Sequence, residues 1–409
     1  MSQTLKFGNG TWATKKGSTL AYNDEDGNFK PLPFTYTGAG KGTRVNKEGL
    51  IEVVENDRPR IDYKDSEDGV FLLEKAATNY SVYSELPSTW TYTEFGSGSA
   101  GTITTGKTDM FGGTNAVQID FPSNAENVGI RFGSATSGLS SGNCNISIYV
   151  KLVESGSKNL QLRAGFKDIV NVNSTEFTRV DVSGTKSNNE AFNLKLRPSE
   201  GTSTGGFSII VCHPQEENNS HATSYIPTQG TIQTRVAETA SGSGNSEVFN
   251  DSQGVLFANI AANSDDLTFR LISLSDGTTS NRISLGYRTT SNAIYCEIRN
   301  SNVTQAFLIT TINDIKTKSK VSVKYKENDF ALWVNGFEVS TDTSGITPIN
   351  LSKINFDSGQ QSGGFFYGKT KEIAYYDEVL TDLELETLTS YRTWEAMVKE
   401  LNLNIIHNE

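Results

Sequence analysis

Hydrophobic and polar residues alternate with a period of two through most of this chain, the pattern of strands with one buried face. The pattern is clearest toward the C-terminal end. Val321, Val323 and Tyr325 alternate with Ser322, Lys324 and Lys326, and Phe330, Leu332 and Val334 repeat it after the turn residues Glu327-Asn328-Asp329. Asn335-Gly336 then separates two apolar runs. This pair suits a type I′ hairpin, because both central positions of that turn need positive φ. Phe337 and Val339 begin the returning strand, and a last strand is predicted over 372–376. Earlier alternating runs predict strands over 117–121, 144–150, 160–166, 177–182, 192–196 and 207–211. A later series covers 254–258, 268–274, 282–287 and 293–298. Gly, Ser and Asn clusters punctuate them, as in β-sandwiches.

Helical periodicity is confined to the C-terminus. Thr381 and Glu384 have the spacing of a capping box ahead of an apolar run. Beyond it Tyr391, Trp394, Val398, Leu401 and Ile405 are spaced three, four, three and four, a heptad seam of about two heptads. It predicts either a small oligomerisation bundle, a trimer suiting a fibre, or a helix laid back on its own sandwich. The expected organisation is therefore all-β, with two jelly-roll sandwiches in tandem. Residues 1–80 form a short N-terminal attachment segment and a strand–turn–strand unit, 81–238 the first sandwich, 239–246 (TASGSGNS) a flexible Gly/Ser linker, 247–392 the second sandwich and 393–409 the terminal helix. The first 30 residues are too few for a core of their own. They either dock on a partner or cover the next domain.

Composition narrows the function classes. A net charge of -11 argues against nucleic-acid binding, which needs a basic surface. The longest apolar run, 207–212, is broken by Ser208 and is far short of the ~20 residues that cross a membrane. The opening MSQTLKFGNG lacks the apolar stretch of a signal peptide, so the protein is expected to be made in a cytoplasm and either to stay there or to leave by lysis. Three cysteines, Cys144, Cys212 and Cys296, sit in apolar runs and read as small core residues. His213, His221 and His407 are not spaced as metal ligands, and adjacent Cys212 and His213 point apart on a strand.

Several phrases resemble virion structural proteins of tailed bacteriophages. They are FGNGTWA (7–13), TRVNKEGLIE (43–52), PRIDY (59–63), GVFLLEKAATN (69–79) and SYIPTQGTIQTRVAE (224–238). The chain departs from that wording at Thr35-Tyr36-Thr37, often Arg-Ala-Ser there, and at Tyr80, usually Leu. Residues 81–238 resemble a carbohydrate-binding-module-like jelly roll. Residues 247–392, with GKTKEIAYYDEVLTDLELE over 368–386, resemble a concanavalin A-like (LamG-type) domain. The resemblance implies a non-enzymatic virion surface protein: a tail fibre, tail appendage or capsid head fibre or decoration. It would be a homo-oligomer joined to other virion proteins through its N-terminal segment, and would touch host glycans.

Glucanases of the concanavalin-like fold carry an acidic E-x-D-x-x-E strand. Here Glu372 and Asp377 have the outer spacing, but Ala374 stands at the middle position, which argues against that hydrolysis. No catalytic or metal residue is expected, although Asp265, Asp266, Asp276 and Asp357 at loop tips have the chemistry to hold Ca²⁺ or, more simply, to cap turns. For glycan binding the candidates are Trp333, on the opposite parity to Phe330, Leu332 and Val334, and Trp90. Core packing is the competing reading for both.

Overall fold

A computed structural model of the chain describes residues 4–19, 32–38, 40–94, 101–123, 128–132, 139–164, 166–187, 194–199, 205–360, 362–391 and 393–400. The fold is all-β with short helices near the C-terminus, and it forms two compact units. Residues 1–38, 56–75 and 237–409 make the first; 39–55 and 76–236 make the second.

The first unit is a two-sheet sandwich. One sheet runs in the order Phe337–Asp342, Asp329–Val334, Ser319–Lys326, Gln253–Ala262, Gly368–Tyr376, Val70–Leu73, Arg60–Asp62. Leu5–Gly8 pairs antiparallel with the far end of Gly368–Tyr376, Leu5 opposite Tyr375. The facing sheet has the order Val303–Thr311, Ala293–Asn300, Arg282–Tyr287, Arg270–Ser275, Lys353–Asn355. Between them pack Leu256, Ile260, Ile272, Leu285, Val323 and Leu332, as the alternating pattern requires. Asn335 (φ 50°) and Gly336 (φ 92°) form the expected hairpin turn, with Val334 opposite Phe337. Thr381 and Glu384 make a capping box at the start of the helix Asp382–Thr389.

The N-terminal segment is part of this sandwich rather than a unit apart. Phe7 and Phe34 are fully buried, and Phe34 and Phe71 pack against Phe356 with ring centroids 5.0 and 5.4 Å away. Within this segment Thr14–Lys15 pairs antiparallel with Ser18–Thr19. The stretch expected as a linker, 239–246, is also structural. Thr239–Ser241 pairs with Thr35–Thr37, Ala240 is buried, and the amides of Gly242 and Ser243 donate to the Ile354 carbonyl. Gly/Ser composition signals flexibility only where the backbone lacks partners, and here it has them.

A buried ion cluster ties distant stretches of this unit together. The Arg60 guanidinium bonds Glu238 through Nε (2.7 Å to Oε1) and Nη2, and Nη2 lies 2.8 Å from Glu74 Oε2. The Tyr36 hydroxyl donates to Glu238 Oε1 (2.6 Å) and the Glu74 amide to Glu238 Oε2 (2.8 Å). All three charged residues are buried.

The terminal helix seam is not continuous. Tyr391 lies between the helices Asp382–Thr389 and Trp394–Glu400, and its hydroxyl donates to the Lys318 carbonyl at 3.1 Å. The Lys320 ammonium caps the chain at the Ser390 carbonyl (2.6 Å). The first helix therefore lies on its own sandwich. Trp394 and Val398 fall on the second helix, and Leu401 and Ile405 lie outside the described residues. No helix among the described residues is long and apolar enough to cross a membrane.

The second unit is also a sandwich, of two five-stranded sheets. One has the order Thr91–Glu94, Val128–Arg131, Lys195–Pro198, Lys158–Arg163, Lys167–Val172. The other is Thr102–Lys107, Ala116–Phe121, Phe207–Glu217, Gly142–Leu152, Thr178–Lys186. Val117, Ile119, Ile146, Ile148, Leu160 and Leu196 fill the space between. The hairpin Thr43–Val45 with Ile51–Val53 belongs here, with Ile51 packed beside Tyr149, Cys212 and Tyr225. The segment 1–80 is thus divided between the two units, a partition that local sequence pattern does not carry.

Two stability measurements follow. Arg60→Ala leaves Glu74 and Glu238 buried without their cation, and urea unfolding should show a loss of about 3–5 kcal/mol in the first unit. Glu216, buried in the second unit, is pushed by desolvation from an ordinary 4.5 up to about 8, with Lys186 opposing. The unfolded chain releases this proton near 4.5 and the folded one near 8, so its contribution to stability falls as pH rises across that window and then levels. Thermal melting of Glu216→Gln should show a flatter pH profile and higher stability at pH 8 than the parent chain; parallel profiles would refute the assignment.

Candidate functional site

The outer face of the first unit's five-stranded sheet carries the most ligand-like surface. In this sheet Ile272, Leu274, Ile283, Leu285, Cys296 and Ile298 point to the core, so their neighbours point outward. The register sets Ser273 opposite Ser284, Ser284 opposite Glu297, and Glu297 opposite Phe307 in one row. In the next row Leu271 faces Gly286, and Gly286 faces Tyr295. Small side chains on two strands beside aromatic ones on the next two leave a groove of about 330 Å³. It is lined by Phe269, Leu271, Arg282, Arg288, Tyr295, Glu297, Phe307 and the loop residues Ser358, Ser362, Gly363 and Gly364. Gly286 is required by close approach, since a Cβ there would sit 2.0 Å from the Arg270 carbonyl oxygen.

Phe269 and Phe307 are 44% and 43% exposed, unusual for large apolar rings and what a ring-stacking surface needs. Tyr295 lies between them, with centroids 6.0 Å from Phe269 and 5.7 Å from Phe307. Burial, with Glu297 beside it, pushes the Tyr295 phenol well above its ordinary range, so it remains neutral. Arg282 donates to Glu297 Oε2 (2.7 Å) and to the Ser358 carbonyl (2.8 Å), which fixes the groove's edge to the loop. The Arg288 guanidinium lies over the rings of Phe307 (5.1 Å to the centroid) and Tyr295 (5.7 Å).

The second unit has a cavity of about 480 Å³ lined by Glu85, Asp109, Phe111, Asn115, Gln229 and Gln233 among others. Its polar wall is committed internally. Glu85 Oε1 lies 2.7 Å from His213 Nδ1 and accepts the Tyr225 hydroxyl, while Oε2 accepts from Asn115 (3.1 Å). Asp109 accepts the amides of Phe111, Gly113 and Asn115. His213 has φ 54° where the strand register shifts, so its ring meets Glu85 rather than forming a pair with buried Cys212.

The tryptophans singled out in the sequence are not at the groove. Trp333 does face away from the main core, but it is only 6% exposed. The helix Asp382–Thr389 covers that face, and Trp333 packs with Val255, Phe257, Tyr376, Leu380 and Leu385. Trp90 is 4% exposed, stacks edge-on against Phe132 at 5.1 Å and donates to the Tyr83 carbonyl (3.0 Å). Both pack in cores, and neither offers a ring face to a ligand. The aspartates considered for Ca²⁺ are engaged within the protein, Asp265 with a neighbouring loop and the others close to their own turns. Asp265 accepts from Asn292, Asp266 pairs with Arg270, Asp276 accepts from Thr278 and Asn281, and Asp357 accepts the Gly359 amide. Glu372 pairs with Lys6 (3.0 Å) and Asp377 accepts from Thr4 (2.8 Å). The groove residues escaped notice because Tyr295 sits between Ile294 and Cys296 and reads as one of a continuous apolar run. The available signal was the parity of Tyr295, Glu297 and Arg299.

No family model and no curated protein sequence matches the chain. Similar solved structures include the CBM40 of the Ruminococcus gnavus IT-sialidase bound to α2,3-sialyllactose. It is 19% identical with a TM-score of 0.30, over 35% of this chain and 84% of that one. The leech intramolecular trans-sialidase is 18% identical with a TM-score of 0.31, over 36% of this chain but 24% of that one, so the chain spans about a quarter of that enzyme. The CBM22-1–CBM22-2 tandem domain of Paenibacillus barcinonensis Xyn10C is 11% identical with a TM-score of 0.26, over 74% and 97%. The likeness is one of β-sandwich fold.

Proposed function

We propose that this chain is a non-enzymatic surface protein of a tailed-bacteriophage virion, on tail or capsid, that binds glycans along the groove lined by Phe269, Tyr295 and Phe307. The groove carries the reading. Exposed rings take the apolar face of a pyranose, while Arg282, Glu297 and the neighbouring serines supply donors and acceptors for its hydroxyls. The virion part rests on the shared phrases. The non-enzymatic reading draws on the groove's chemistry: among the described residues Glu297 is the one carboxylate lining it, and it is held by Arg282, whereas glycoside hydrolysis ordinarily needs two carboxylates across the bond.

The test has three parts. On a glycan array the intact chain should bind, and Phe307→Ala or Phe269→Ala, with melting behaviour unchanged, should weaken binding about tenfold or more; equal binding by all three proteins would remove the groove from the proposal. Gold-coupled antibody on intact virions should mark either the tail or the capsid, and unmarked particles would overturn the virion assignment. Assembly belongs to the same reading, because fibres are built from closed rings of copies. Light scattering should fall from three copies to one when the chain is cut after Tyr391, and an unchanged mass would exclude the Trp394–Glu400 helix from the contact.

A further inference from the structure

We infer that the groove selects a carboxylate-bearing sugar, a uronic or nonulosonic acid unit, through Arg288; this rests on the glycan reading above. The two arginines lining the groove are not equivalent. Arg282 is committed through both amino groups, one to Glu297 and the other to the Ser358 carbonyl, and its charge is paired. Arg288 has no ion pair and no hydrogen-bond acceptor among the described residues, and its Nε is buried without a partner. Only the ring faces of Tyr295 and Phe307 hold it.

A guanidinium in that state lacks what its chemistry demands. Its Nε–H has left water without gaining an acceptor, which is costly until one arrives. Stacking fixes the plane of the fork, and a planar fork matches a carboxylate with two parallel hydrogen bonds. Charge agrees: Arg282 and Glu297 cancel, leaving Arg288 as net positive charge in the groove of a chain whose total is -11. An acidic sugar stacked on Phe269 and Phe307 would bring its carboxylate to the one cation there without a counter-charge.

The experiment compares each acidic glycan with its carboxyl-reduced counterpart, by calorimetry on the intact chain, with a sulfated neutral glycan as a third probe. Glucuronate- and nonulosonate-terminated oligosaccharides separate the two sources of the carboxylate. The carboxylate form should bind about tenfold or more tightly than the reduced form, and added salt should narrow the gap. Arg288→Gln should abolish the difference between the acidic and the reduced glycan, whereas Phe307→Ala should weaken both and keep the difference. Because the ligand pair is compared on the parent chain, the test survives a variant that fails to fold. Equal binding of acidic and reduced glycans would overturn this inference and leave the glycan face standing. Tighter binding of the sulfated probe would replace the carboxylate with a sulfate. No binding of any probe would overturn both readings.

Discussion

The first unit depends on one buried arrangement of charge, Arg60 between Glu74 and Glu238. Its members come from three separate stretches, with Glu238 lying 178 residues from Arg60 and 164 from Glu74 in sequence. Burying a guanidinium and two carboxylates would cost several kcal/mol per ion if any lacked partners. Here the second carboxylate is offset by the Tyr36 hydroxyl and the Glu74 amide, so the cluster holds only when all four groups and their strands are in place. That condition specifies a unique docking for Arg60–Asp62, Val70–Leu73 and the chain entering at Glu238. Apolar contacts alone would tolerate a shift. Once these strands are fixed, Gly368–Tyr376 has a partner on each side, and the sandwich core closes around Phe71 and Phe356.

The same period-two rule that fills the core also makes the groove, because a strand with one parity inside must show the other outside. What differs between the two sheets of the first unit is what covers the outer parity. On one, the helix Asp382–Thr389 lies over Ala331, Trp333 and Ala374, and the face becomes a second small core. On the other, a groove remains in which Phe269 and Phe307 keep large exposed areas. An uncovered aromatic surface costs hydrophobic stabilisation, roughly 25 cal/mol per Å² left in water. Its presence beside a fixed Arg–Glu pair therefore points to use rather than to packing.

Strand identity and turn chemistry were legible in the sequence because they are local. Asn335-Gly336 and the pair Thr381 and Glu384 each specify their geometry within a few residues. The exposure of Trp333 was not legible, since it is decided by a helix that begins forty-nine residues later and by which sheet that helix covers. The linker reading of 239–246 failed for a related reason. Composition describes the chain's own preference, while Thr239–Ser241 is held by a strand from residues 35–37. The division of the first 80 residues between two units is likewise a property of long-range pairing.

The phrases singled out in the sequence acquire a physical meaning from these contacts. Arg60 lies in PRIDY, Glu74 in GVFLLEKAATN and Glu238 at the end of SYIPTQGTIQTRVAE, so three of these phrases meet in the ion cluster. Within the second unit the same holds: Asn79 donates to the Ile226 carbonyl, and Tyr225 donates to Ser84. Such residues encode how the sandwiches are assembled. Phe269, Arg288, Tyr295 and Phe307 lie outside all of these phrases. Outward positions of the groove can therefore be substituted without touching the contacts that hold the fold.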